Sequence, residues 1–119
     1  MATTAVVQAI GPQAISATEP ILILFDETAT ASLQQIAIVQ KFTSALTPVP
    51  LQTGSQLTID DQRYTVEYAG PLVEANLQSI GHATLYFTEV PAKPMDNGIY
   101  LTPTSLPTIK VGSVITYEP

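Results

Sequence analysis

Cysteine and tryptophan are absent from the 119-residue chain, and histidine occurs once, at His82. Without cysteine there is no disulfide, no thiolate nucleophile and no Cys-based zinc or iron–sulfur site. A single imidazole also excludes a zinc centre built on two or three histidines of one chain. Bases are scarce: Lys41, Arg63, Lys93 and Lys110 stand against ten acids, for a formal net charge of -6. Nucleic-acid binders cluster Lys and Arg against phosphates, so nucleic acid is set aside and an acidic surface favours basic protein partners. Charged residues make up 12% of the chain, against a typical ~25%. With 45% hydrophobic residues, that composition folds rather than stays disordered. Long apolar runs are missing too. The longest, Ile21 to Phe25, is far short of the ~18 residues that span a bilayer. No Lys or Arg precedes Lys41, so a signal peptide's basic start is lacking. The expectation is one cytoplasmic domain over residues 1–119, with no cofactor and no metal.

What is abundant is β-forming. Thr, Ile, Val, Tyr and Phe recur throughout, and ten Pro and six Gly punctuate the chain at short intervals. Eight short strands are predicted: Thr3–Ile10, Ile21–Asp26, Ile36–Phe42, Ser55–Ile59, Gln62–Tyr68, His82–Phe87, Asn97–Leu101 and Val114–Tyr117. The unbroken apolar run in the second suggests burial on both faces. Asp60-Asp61 reads as a hairpin turn. In the strand after it, Tyr64, Val66 and Tyr68 should face one way. Ala83, Leu85 and Phe87 should face away from His82, Thr84 and Tyr86. Two short helices are predicted. Thr30–Gln35 has Thr30 or Ser32 as cap. Pro71–Ile80 has Pro71 at its first position, Val73, Leu77 and Ile80 on one face, and Gly81 just past its end. Thr43–Leu51 and Pro91–Met95 read as Pro-rich loops. The fold class is therefore all-β, a small barrel of about eight strands with one or two short helices; closure removes exposed edges.

Few residues carry chemistry. Asp60-Asp61 and Asp26-Glu27 read as a turn and a solvated strand end rather than as metal ligands. Neither a phosphate-binding glycine loop nor a G-x-S-x-G elbow occurs, and a Ser-His-Asp triad would have to use His82. Tyr64, Tyr68, Tyr86, Tyr100 and Tyr117 are either packing residues or the lining of a sugar-stacking groove. His82, at a strand's mouth, is a candidate nucleophile, acid/base group or ligand, set against a structural histidine hydrogen-bonded near the helix end.

Gly81-His82-Ala83-Thr84-Leu85-Tyr86-Phe87 resembles the GH-x-TL-x-F segment of the glucitol/sorbitol-specific enzyme IIA component of the bacterial phosphotransferase system. Ile10-Gly11 with Ala14-Ile15 is similar to that family's IG-x-x-AI opening. Phe25 and Leu33 fall in register. Gly54, Gln56, Arg63-Tyr64, Val66 and Gly70 match its central hairpin. Glu74 and Asn76-Leu77 match the helix before the GH motif, and Gly112-Ser113-Val114 with Glu118 matches its ending. The resemblance implies an all-β, barrel-like cytoplasmic domain. Such a domain takes a phosphoryl group from the carrier protein HPr onto a histidine and passes it to the IIB domain of a IIB/IIC permease. It meets the membrane only through that permease, and association between copies is left open.

The chain departs from this pattern at one place. The resemblance puts the phospho-accepting histidine at the end of the strand Ile36–Phe42, where ungapped counting from Phe25 and Leu33 reaches Gln40. A glutamine amide nitrogen is delocalised into its carbonyl and does not attack phosphorus. Three readings follow. His82 accepts the phosphoryl group instead; the domain is a binding or regulatory module that no longer transfers; or it is a barrel that binds sugar or peptide through its tyrosines. Lys41, Phe42 and Thr43, beside Gln40, are the candidate docking residues.

Overall fold

The computed structural model describes residues 3–16, 18–43 and 51–119. Most of the expected loop Thr43–Leu51 lies outside them. The strands are β1 (Thr3–Ile10), β2 (Ile21–Phe25), β3 (Ile38–Phe42), β4 (Gln56–Ile59), β5 (Gln62–Ala69), β6 (Ala83–Tyr86), β7 (Gly98–Thr102) and β8 (Val114–Glu118). The helices are α1 (Ala31–Gln34) and α2 (Val73–Ile80). The strands close into a barrel in the order β1-β3-β2-β6-β7-β5-β4-β8, with β8 returning to β1. Six pairings are antiparallel. Two, β2 with β3 and β6 with β7, are parallel, and each is bridged by a long connection, as parallel neighbours require.

The all-β expectation holds, and seven of the eight expected strands fall within one residue of the observed bounds. The exception is β3, which starts at Ile38 rather than Ile36. Ile36 instead donates to Leu33 O at the end of α1, and Ala37 O accepts from Gly11 N. From there Ala37, Ile38, Val39 and Gln40 are buried in succession. β2 is not buried on both faces: Leu22 and Leu24 are enclosed, while Ile21, Ile23 and Phe25 are half-covered.

Alternation builds the interior. Ala5 and Val7 of β1, Leu22 and Leu24 of β2, Leu57 and Ile59 of β4, and Ile115 and Tyr117 of β8 all point into one core. Ala83, Leu85 and Phe87 join it as expected. Tyr64 and Val66 also point inward, but Tyr68 does not follow them. The β5–β7 register shifts between Val66 and Tyr68, and an extra residue at a bulge reverses which face later side chains take. Tyr68 therefore meets Tyr100, and Tyr100 stacks on Tyr86 at 4.7 Å. These three lie apart from the core cluster. Tyr64 instead packs edge-on against Phe87 inside. The five tyrosines thus divide between the barrel's interior and its wall and line no common groove.

Asp60 forms the first residue of the β4–β5 turn at φ 55°, a conformation short polar side chains tolerate. Its carboxylate also holds β8, accepting from Ser113 Oγ at 2.8 Å and Val114 N at 3.0 Å. In α1, Thr30 is the cap, accepting from Leu33 N. α2 begins at Val73, after Leu72 as cap, so Pro71 lies in the preceding turn and not at the first helical position. Val73 and Leu77 pack inward, whereas Ile80, one turn on, is 39% exposed.

Candidate functional site

Three chain segments converge at one end of the barrel: the close of β2, the close of β3 and the C-terminus of α2. Gly81 makes the convergence possible. It ends α2 in the left-handed conformation, φ 61°, which glycine adopts without penalty. A β-carbon there would sit 2.7 Å from the Asp26 Cβ. The N–H of Asp26 donates to Ile80 O, and those of Gly81 and His82 reach back to Leu77 O and Asn76 O.

Gln40 points inward from β3 and has no exposed surface. Its Nε2 donates to Gly81 O at 2.9 Å, and its Oε1 accepts the Tyr117 hydroxyl at 2.6 Å. Burial pushes the Tyr117 hydroxyl far above its ordinary range, against the smaller downward pull of the bond to Gln40, so it remains a donor. The amide is a satisfied buried group that ties β3 to β8 and to the end of α2. It presents no nucleophile, and solvent does not reach it.

His82 lies on the other side of the same peptide link, half-buried on the barrel's outside. Its ring stacks on Phe25 at 4.2 Å between centroids. Nδ1 lies 3.0 Å from the carbonyl oxygen of Leu24, and Nε2 lies 2.9 Å from Asn97 Nδ2. A carbonyl only accepts, so the ring proton is on Nδ1 and the lone pair on Nε2 faces the Asn97 amide. This is the arrangement of an oriented imidazole with one basic nitrogen.

Between the ends of β2, β3 and α2 lies a cleft of about 150 Å³, lined by Asp26, Glu27, Lys41, Phe42, Leu77, Gln78 and Ser79. Two of the three expected docking residues, Lys41 and Phe42, belong to it. Phe42 also leans on the Tyr117 ring at 5.8 Å, so the cleft wall and the buried Gln40–Tyr117 pair are in contact. Thr43 is not among the lining residues and is held by β1, its N–H donating to Thr4 O and its hydroxyl bonding that of Thr4 at 2.7 Å. Gln40 and His82 are thus brought to one end of the barrel, on opposite sides of its wall.

Sequence reasoning missed two participants. Tyr117 was one of five equivalent tyrosines, with nothing local to single it out. Asn97 had a signal in the Asp96-Asn97-Gly98 turn sequence, but no sequence feature tied it to His82.

No helix among the described residues is long and apolar enough to cross a membrane, and no three of His, Asp and Glu among them gather in a metal-ligating group. A family model described as the PTS system glucitol/sorbitol-specific IIA component matches residues 2–116. The chain is 30% identical over 113 residues to the PTS system glucitol/sorbitol-specific EIIA component of Escherichia coli (strain K12), covering 92% of this chain and 88% of that one. The protein of the same description from Shigella flexneri is 29% identical over 113 residues, with the same coverage. The crystal structure of the PTS system IIA component from Enterococcus faecalis V583 matches with a TM-score of 0.92 and 42% identity, over 98% of this chain and 99% of that one.

Proposed function

The chain belongs to the glucitol/sorbitol-specific IIA family of the phosphotransferase system, and from that premise we propose that it serves in the cytoplasm as a docking component of such a system. It engages HPr and the IIB/IIC permease through the face carrying Lys41 and Phe42, and it carries no phosphoryl group on residue 40. One observation supports this reading above others: both polar atoms of Gln40 are bonded, to Gly81 and to Tyr117, and the side chain is fully enclosed. An amide in that state anchors structure. Its nitrogen lone pair is delocalised into the carbonyl and is no nucleophile at neutral pH.

A second reading is favoured by the state of His82. Its proton on Nδ1 leaves a basic Nε2, the atom a relay from HPr to IIB requires. In that case the domain transfers, with His82 in place of residue 40.

Incubation with phosphoenolpyruvate, enzyme I and HPr separates the two. The docking reading expects measurable binding to HPr and to IIB with no acid-labile phosphate on this chain. Label that disappears in His82→Ala installs the relay reading. Label that survives His82→Ala removes both, and absence of binding removes the docking reading.

A further inference from the structure

The Nε2 atom of His82 is a lone pair held against a donor. Leu24 O fixes the proton at Nδ1, so Nε2 can only accept, and Asn97 must present its NH2 group to it at 2.9 Å. Nor is the amide free to drift. Asn97 sits in a turn closed by Gly98 N donating to Met95 O at 3.1 Å, and its own carbonyl accepts from Thr84 N at 3.2 Å. The turn is pressed against Gly70, where a β-carbon would lie 2.1 Å from Asp96 O. Gly70 N donates to Gly98 O and Leu72 N to Asp96 O. Four backbone bonds and a glycine contact therefore hold one side-chain amide over one ring nitrogen.

We infer that the Asn97 amide caps the nucleophilic nitrogen of His82, which makes Asn97 the positioning residue that decides whether the ring reacts. The inference rests on the second reading above in one respect only: it names the atom a relay through His82 would use. A lone pair engaged by a donor is withdrawn from attack, and the bond must break before Nε2 can approach an electrophile. In the relay reading, once the amide swings aside, Nε2 attacks the phosphorus of a carrier protein's phosphohistidine. The new N–P bond forms as the donor's N–P bond breaks, and the electron pair returns to the donor nitrogen. The proton on Nδ1 stays bonded to Leu24 O, which steadies the positive ring. The released amide then lies where it can donate to a phosphoryl oxygen.

The sole histidine makes the test clean, because diethyl pyrocarbonate forms an N-carbethoxyimidazole only at His82. In that reaction Nε2 attacks a carbonyl carbon, ethyl carbonate leaves with the electron pair of the broken C–O bond, and the Nδ1 proton passes to solvent. The native chain should react slowly, and Asn97→Ala about tenfold faster, the scale of one lost hydrogen bond. Asn97→Asp keeps the size but accepts instead of donating, so Nε2 takes a proton and the reaction stays slow. Ring-nitrogen NMR of the native chain should show the proton on Nδ1 and none on Nε2. Equal rates in the native chain and Asn97→Ala overturn the cap, as does a proton on Nε2. Equal acceleration by Ala and Asp also overturns it, because loosening of the turn then explains both. If Asn97→Ala reacts faster with the reagent yet takes no phosphate from HPr, the cap stands and the relay through His82 falls.

Discussion

Tyr117 gives its phenolic proton to the side-chain carbonyl of Gln40 across 2.6 Å, although the two residues are 77 positions apart and neither is open to solvent. The Tyr117 ring also lies 5.8 Å from that of Phe42, one of the residues lining the cleft. The bond to Tyr117 explains how a glutamine is accommodated inside a hydrophobic barrel: a buried amide is costly alone and inexpensive when both its ends are bonded.

Removing both partners should therefore cost less than the two single losses added together. Tyr117→Phe leaves Gln40 Oε1 without its donor, a loss of about 1–3 kcal/mol. Gln40→Leu strands both the Tyr117 hydroxyl and Gly81 O and should cost at least as much. The double variant should be less destabilised than the sum of the singles, by an amount read from a urea-denaturation cycle. Strictly additive losses would show that the bond contributes nothing.

Gly81→Ala should be among the most disruptive single-methyl additions. The left-handed backbone costs an L-residue about 1–2 kcal/mol, and the new β-carbon meets the Asp26 Cβ at 2.7 Å. At Gly54, φ is +97° but nothing lies within 4 Å of the added atom, so Gly54→Ala bears backbone strain alone. A urea midpoint lowered more by Gly54→Ala than by Gly81→Ala would contradict this account.

Acid should loosen the β4–β5 turn. Bonds from Val114 N and from the Ser113 hydroxyl, with a smaller contribution from Lys110, hold the Asp60 carboxyl below its ordinary value of 3.8. A depressed folded value means that the stabilisation is present above the unfolded pKa and fades as pH falls through the folded one. The group is exposed, so the loss should stay under about 1 kcal/mol. Asp60→Asn should flatten this acid limb of the stability curve, and an unchanged limb would assign it to other carboxylates.

Docking at the cleft should depend on its acids. Glu27 is exposed and lines it, so Glu27→Lys should slow association with HPr or IIB severalfold and reverse part of its salt dependence, as rim charges do. Thr43→Ala should leave association unchanged, because Thr43 does not line the cleft and its hydroxyl is bonded to that of Thr4. Stopped-flow binding distinguishes these outcomes, and equal rates for Glu27→Lys and the native chain would move the docking face elsewhere.

Local features were legible in the chain because local physics sets them. Asp60-Asp61 announced a turn, Thr30 a cap and Gly81 a helix end, and period-two alternation marked most strands. Features set by distant partners were not legible. The two parallel pairings and the strand order join segments far apart in sequence. The shift that reverses Tyr68 depends on how β5 meets β7, and no residue of β5 alone encodes it. Ile36 and Ala37 looked like strand but are claimed by the end of α1 and by Gly11. At the site, Gln40 and His82 were visible as residue types, while their partners Tyr117 and Asn97 were visible only once the barrel had closed.

That closure has a kinetic consequence. β8 pairs with β1 on one side and β4 on the other, and it also delivers the hydroxyl that satisfies Gln40. Until residues near 117 leave the ribosome, a growing chain has two open strand edges and an unsatisfied amide in its half-built interior. Contacts of such long sequence separation form late. The last strand thus completes the sheet and brings the Tyr117 ring against Phe42 of the cleft in one event, so a recognisable binding face should arise only after synthesis of the whole barrel.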